Sequence, residues 1–125
     1  MYVVDDEPVI AITVCTILAR AGFEAKAFFH PADLLREAAL CHPQVVLSDV
    51  MMPEMNGLDL SLRLQMDHPE CKVVLFSGHV ETLELLEAAR AHGHEFEVLT
   101  KPVRPEDLLV RLRSLVGDRQ PVLAA

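Results

Sequence analysis

Acidic, hydroxyl and amine side chains stand in this chain at the ends of apolar runs. Tyr2-Val3-Val4 ends in Asp5-Asp6-Glu7, Val45-Val46-Leu47-Ser48 in Asp49, Val73-Val74-Leu75-Phe76 in Ser77-Gly78, and Val98-Leu99-Thr100 in Lys101-Pro102. Brought together, the carboxylates of Asp5, Asp6 and Asp49 would repel one another, and such a cluster is relieved by an added proton or a bound cation. An all-oxygen donor set with open positions suits Mg²⁺, which keeps several waters and takes one or two carboxylates together with phosphate oxygens. A carboxylate beside that ion can attack phosphorus, while the metal, a lysine ammonium and a hydroxyl neutralise charge on the phosphoryl oxygens. Each residue taken singly also has an ordinary reading. An Asp after a strand is most often a turn or helix-capping residue, Ser77 can cap a following helix, and Lys101 can be a solvated loop residue. Taken together, every polar strand end has a role in one phosphoryl-transfer reaction.

The elements that must position these groups follow from the same runs. Val45 to Leu47 are apolar and mostly β-branched, which suits a strand covered on both faces, and Pro53, Asn56 and Gly57 interrupt regular structure before the next helical pattern. Asp49 is therefore expected at the carboxyl end of a central strand. In an open parallel α/β sheet the ligand site lies just outside the carboxyl ends of the strands, where the strand order reverses. Parallel strands would thus converge Asp5, Asp6, Asp49, Ser77 and Lys101 on one pocket.

In chain order, Tyr2 to Asp5 reads as a strand, and Pro8 opens a helix to about Ala21 with Val9, Ile10, Ile12, Thr13, Ile17 and Leu18 as its apolar face. Gly22 ends it. Phe23 to Phe28 reads as a weaker edge strand, because Glu24 and Lys26 alternate with Ala25 and Ala27. A helix starting at Pro31 carries Leu34, Leu35 and Ala38 inside, and another runs from Gly57 to about Asp67 with Leu58, Leu62 and Met66 at spacing four. Lys72 to Ser77 is a strand, Glu81 to His92 a helix capped by Gly93, and Phe96 to Thr100 a further strand. Pro105-Glu106-Asp107 opens a last helix, its acids complementing the helix dipole and Leu108, Leu109, Leu112 and Leu115 facing inward. Five strands alternating with five helices predict the α/β class, a doubly wound parallel sheet with right-handed crossovers. The domain is expected over residues 1–117, with 118–125 a tail or the start of a linker.

Composition narrows the function. A chain of 125 residues that is 51% hydrophobic and 24% charged has the length and balance of one soluble domain. Its net charge of -8 argues against a nucleic-acid surface, since phosphate contacts need clustered Lys and Arg. The run from Val9 to Cys15 is too short to span a bilayer, and a cytoplasmic protein is the expectation. Cys15, Cys41 and Cys71 are odd in number and without close pairing, which fits reduced thiols in the core. His92 and His94 lack a third ligand nearby in sequence and read as solvated loop residues.

The stretches Val3-Val4-Asp5-Asp6-Glu7-Pro8, Ser48 to Gly57, Phe76-Ser77-Gly78 and Leu99-Thr100-Lys101-Pro102 resemble the receiver domain of two-component response regulators, the CheY-like family. The resemblance covers Tyr2 to about Val116 and implies a five-stranded flavodoxin-like sheet in the order 2-1-3-4-5. It implies that Asp49 accepts a phosphoryl group from a histidine kinase or histidine phosphotransfer protein. Asp6, Asp49 and the backbone carbonyl of Met51 would bind Mg²⁺ directly, and Asp5 through a water. Lys101 would pair with the acids at rest and with the phosphoryl group afterwards, Ser77 would bond a phosphoryl oxygen, and the Lys101-Pro102 bond would be cis. The resemblance also admits a phosphorylation-driven homodimer through the last helix.

One position departs from the family's pattern. An aromatic is usual three residues before the lysine, where this chain has Val98, with Phe96 two residues earlier. Coupling from Ser77 to the face made by the fourth helix, fifth strand and last helix is therefore expected to be altered or weak. In the family this chain resembles, the positions of Met51 and His79 flank the path of the hydrolytic water, and a Met and a His offer it no obvious orienting group, which implies a long-lived phosphoryl group.

Two alternatives stand beside this reading. A Mg²⁺-dependent phosphohydrolase of the haloacid dehalogenase class would place an Asp-x-Asp motif after the first strand, where this chain has Asp5-Asp6-Glu7, and would carry a cap domain. A flavodoxin-like binding module would cradle phosphate there with a Ser/Thr/Gly loop, which Asp6 and Glu7 would repel without a metal. Within the receiver reading, the chain can be a free-standing regulator or a receiver from a hybrid kinase or an output-domain regulator.

Overall fold

The strands β1 (Tyr2–Val4), β2 (Lys26–Phe28), β3 (Val45–Asp49), β4 (Lys72–Ser77) and β5 (Glu97–Thr100) form one sheet in the order β2-β1-β3-β4-β5, every neighbouring pair parallel. This computed structural model describes residues 1–78, 84, 87, 88, 90, 91, 97–100 and 103–116, with the side chain of Ser77 outside the description. The chain builds from β1 outward to β2, then passes back across β1 to β3 and continues the other way. The reversal falls between β1 and β3. Their register sets Val4 beside Ser48, so Asp5 and Asp49 leave adjacent strands at the same edge.

Helices α1 (Pro8–Arg20), α2 (Pro31–Leu40), α3 (Gly57–Asp67) and α4 (Pro105–Val116) cover the two faces. Val4, Val46 and Leu75 pack on one side with Leu34, Ala38, Leu58 and Leu64 of α2 and α3. Val3, Leu47, Val74 and Phe76 pack on the other with Ala11, Leu18, Leu108 and Leu112 of α1 and α4. Each fully buried Leu or Val contributes about 1.5–3 kcal/mol, and alternation along each strand divides that gain between the faces. Glu84, Glu87, Ala88, Arg90 and Ala91 are helical. The remainder of the helix expected over Glu81 to His92, its cap Gly93, and Phe96 lie outside the described residues.

Four expectations need correction. Cys41, expected as a packing residue, is exposed at the end of α2. The edge strand begins at Lys26 rather than Phe23, because the backbone before it is used to close α1. Gly22, at φ +96°, donates to Ala19 O at 3.1 Å, and Phe23 N–H donates to Leu18 O at 3.0 Å. This is a Schellman end, with Phe23 and Leu18 in the same apolar cluster. Sheet pairing then starts where Lys26 N–H reaches Met1 O at 2.9 Å.

The inward faces of α1 and α3 are rotated from those expected. In α1, Ala11 and Leu18 are buried with Val14 and Cys15 packed beside them, whereas Val9 is 76% exposed and Ile12 and Thr13 face water. In α3 the buried positions are Gly57, Leu58, Leu60, Ser61 and Leu64, while Met66 is 79% exposed. Small residues share the buried positions with leucines in both helices, and at Gly57 the α3 backbone comes close to β3.

Candidate functional site

Asp49 is the last residue of β3 and is 8% exposed, and Asp5, directly after β1, is 2% exposed. Asp6 follows and is exposed. One carboxylate oxygen from each lies within 4.8 Å of the others, making this the metal-competent acidic cluster among the described residues. At an effective dielectric of about 20, like charges at that separation repel by roughly 3 kcal/mol before any counter-charge is counted. Two buried acids and one exposed acid, all oxygen donors, fit a hard divalent cation that keeps part of its water shell.

Local structure fixes each acid. Asp5 Oδ1 accepts the Glu7 N–H at 2.9 Å, which turns the chain out of β1 towards the proline that opens α1. Its own N–H still donates to Phe28 O at 3.2 Å, extending the pairing with β2 by one residue. Beyond Asp49, Val50 N–H donates to Phe76 O at 3.2 Å, and Gly57 N–H closes the loop onto Val50 O at 2.8 Å. Asn56 Oδ1 accepts the Asp59 N–H at 2.8 Å and caps α3. Met51 stands in this tied loop two residues past Asp49, with Met52 buried beneath it.

Ser77 ends β4 and its backbone pairs with Thr100 at the same edge of the sheet. Lys101, Pro102 and His79 lie outside the described residues. Val98 is half-buried in β5 beside Leu75, packed against the cluster of the α2 and α3 face.

Sequence reasoning missed two residues that brace the site. A Cβ on Gly57 would stand 2.5 Å from Asp49 O, 3.0 Å from Val50 Cα and 3.1 Å from Leu75 Cδ2, so only glycine fits where α3 meets β3. In sequence it reads merely as a helix breaker. Ser48 is fully buried and its Oγ donates to Asp49 O at 2.9 Å. The available signal was a lone hydroxyl inside an otherwise apolar buried strand, where a polar group must find a partner. At the rim, His30 Nδ1 lies 3.1 Å from Glu54 Oε1, joining the loops after β2 and β3.

The family model described as "Response regulator receiver domain" matches residues 1–113. The chain is 32% identical over 116 residues to the probable transcriptional regulatory protein TcrX of Mycobacterium tuberculosis, across 93% of this chain and 49% of that protein. Against the DNA-binding transcriptional regulator NtrC of Escherichia coli it is 34% identical over 120 residues, across 96% of this chain and 25% of that one. It thus spans about half the length or less of these curated relatives. Among solved structures, a response regulator receiver domain protein from Clostridium thermocellum superposes with a TM-score of 0.83 at 26% identity, covering 98% of this chain and 97% of the other. The BeF3 activated DrrB receiver domain superposes with a TM-score of 0.76 at 28% identity, covering 92% and 94%.

Proposed function

Because the chain belongs to the response regulator receiver domain family, we propose that Asp49 accepts a phosphoryl group from a histidine kinase or histidine phosphotransfer protein and that this modification is the domain's signal. The observation that carries the reading is the acidic triad, with Asp49 at the end of the central strand and oxygens of Asp5 and Asp6 within 4.8 Å. Family membership sets aside the phosphohydrolase and flavodoxin-like alternatives.

An Asp49 carboxylate oxygen attacks phosphorus in line with the P–N bond of a phosphohistidine donor. The bond to nitrogen breaks, the imidazole keeps the electron pair and takes a proton, and an aspartyl phosphate remains. Asp5, Asp6, Asp49 and the Met51 carbonyl would hold Mg²⁺, which when bound supplies positive charge against the phosphoryl oxygens. Burial of Asp49 limits the directions from which a donor can approach and aligns the attack. Lys101 is assigned to pair with the phosphoryl group, and Ser77, the last residue of β4, to bond one of its oxygens. The domain acts as a phosphoacceptor in the cytoplasm, turning over only by slow loss of its own phosphoryl group. Val98, aliphatic and half-buried, gives weak coupling between Ser77 and the face around β5.

Beryllofluoride with Mg²⁺ tests the reading without a kinase, since the beryllium of BeF₃⁻ bonds a carboxylate oxygen and makes a tetrahedral, phosphoryl-like group. Amide resonances of Asp49, Val50, Gly78 and Thr100 are expected to shift, and Asp49→Asn to abolish the change. Shifts that persist in Asp49→Asn would place the acceptor elsewhere.

A further inference from the structure

The Asp49–Val50 peptide is held at both ends and covered on one side. Its carbonyl accepts the Ser48 hydroxyl at 2.9 Å, and its N–H donates to Phe76 O at 3.2 Å. Gly57 presses against the same carbonyl, where a Cβ would come to 2.5 Å, and donates its own N–H to Val50 O at 2.8 Å. A peptide is planar, so its orientation fixes the direction in which the Asp49 side chain leaves the backbone and the starting direction of the Val50–Met51 segment.

Ser48 occupies a core position, 0% exposed, with Val46 and Val50 buried on either side. An apolar residue there would gain burial energy, whereas a hydroxyl must be desolvated and recovers only one hydrogen bond. Its partner is the backbone carbonyl of Asp49 itself. Stability alone gives little reason for that exchange, and orientation of the acceptor does.

We propose that Ser48 is a positioning residue for phosphoryl transfer, fixing with Gly57 the plane of the Asp49–Val50 peptide and so the aim of the Asp49 carboxylate and the Met51 carbonyl. This rests on Asp49 as the phosphoacceptor. Ser61 supplies the contrast: it is also 0% exposed, and its Oγ donates at 2.8 Å to Gly57 O, one helical turn back within α3. A helical carbonyl points along its helix towards the C-terminus, so this bond lies within α3, whereas Gly57 meets the Asp49–Val50 peptide through its Cα and N–H.

The experiment compares the full chain with Ser48→Ala, Ser48→Thr and Ser61→Ala, each well below its melting temperature. Phosphorylation by acetyl phosphate is followed by intact mass across donor and Mg²⁺ concentrations, and Mg²⁺ binding is followed separately by amide shifts of Val50 and Met51. In Ser48→Ala the rate at saturating donor and Mg²⁺ falls about tenfold, as expected for a misaimed nucleophile, and the Val50 and Met51 amides shift before metal is added. Restoring the hydroxyl in Ser48→Thr returns most of the rate, and Ser61→Ala reacts like the unmodified chain. Should Ser48→Ala not fold, Ser48→Cys replaces it, with a similar size and only a weak donor. The proposal is overturned by an unchanged rate in Ser48→Ala, by equal losses in Ser48→Ala and Ser48→Thr, or by Ser61→Ala losing rate alike. Failure of the unmodified chain to take up phosphoryl would instead remove the phosphoacceptor reading.

Discussion

At the carboxyl edge of the sheet, Asp5 and Asp49 are buried beside exposed Asp6, their oxygens within 4.8 Å. At the amino edge the buried polar groups, among the described residues, include a phenol, a thiol and His68 Nδ1, which has no hydrogen-bond partner. The Tyr2 hydroxyl donates to Cys41 O at 2.7 Å, and its burial, chiefly, pushes its pKa up to about 12. Burial likewise pushes the Cys71 thiol up to about 11. A cavity of about 760 Å³ opens there, lined by His42, Pro43, His68, Cys71 and Ser114. That cavity lies at the edge whose buried phenol and thiol stay protonated, and the acidic cluster of the described residues lies at the opposite one. A buried neutral group can be satisfied by one hydrogen bond, as Tyr2 is. Clustered carboxylates depend on counter-charge, and that dependence fits the edge proposed as the phosphoacceptor site.

Metal gives the largest expected difference between the edges. Mg²⁺ at about a hundred times its dissociation constant should stabilise the fold by about 2.7 kcal/mol, read as a rise in melting temperature. Asp6→Asn should remove most of that gain, and Cys71→Ser none of it. An equal rise in Asp6→Asn would put the cation elsewhere.

Two glycines sharpen the comparison next. Gly57→Ala forces the Asp49 carbonyl away from a Cβ at 2.5 Å, with an expected cost of about 1–3 kcal/mol and slower phosphorylation. Gly22 has φ +96° and nothing within 4 Å of an added Cβ. Its replacement by Ala should cost about 1 kcal/mol of backbone strain and leave phosphorylation unchanged. Denaturant melts and phosphorylation rates on both variants decide this, and a slow Gly22→Ala would break the distinction.

The smallest effect is at the amino edge. Cys71 has a folded pKa raised from 9.0 to about 11, so its contribution to stability is present below pH 9.0 and lost as pH rises through about 11. At pH 8 exposed Cys41 should react with a thiol reagent at least about a hundredfold faster than Cys71. Comparable rates would mean that the amino edge opens to solvent.

Much of this arrangement was legible in sequence, because the strands declare themselves as apolar runs and their acids stand at the boundaries. The convergence of Asp5, Asp6 and Asp49 follows once those strands are parallel. The faces of α1 and α3 were not legible, since Val9, Ile12 and Met66 look like core while Ala11, Gly57 and Ser61 are buried. Hydrophobic period reports bulk and passes over small side chains, which are buried here beside Leu18, Leu58, Leu60 and Leu64. The start of β2 was hidden because Phe23 is an apolar residue whose N–H closes α1. Ser48 escaped notice because its role depends on a single hydrogen bond to the next residue.

The central claim, that the acidic edge carries a phosphoacceptor, meets its most direct test in intact-protein mass after incubation with acetyl phosphate and Mg²⁺. The expected result is a gain of one phosphoryl group, absent in EDTA and in Asp49→Asn. No gain at any Mg²⁺ concentration, or a gain that survives in Asp49→Asn, would contradict it.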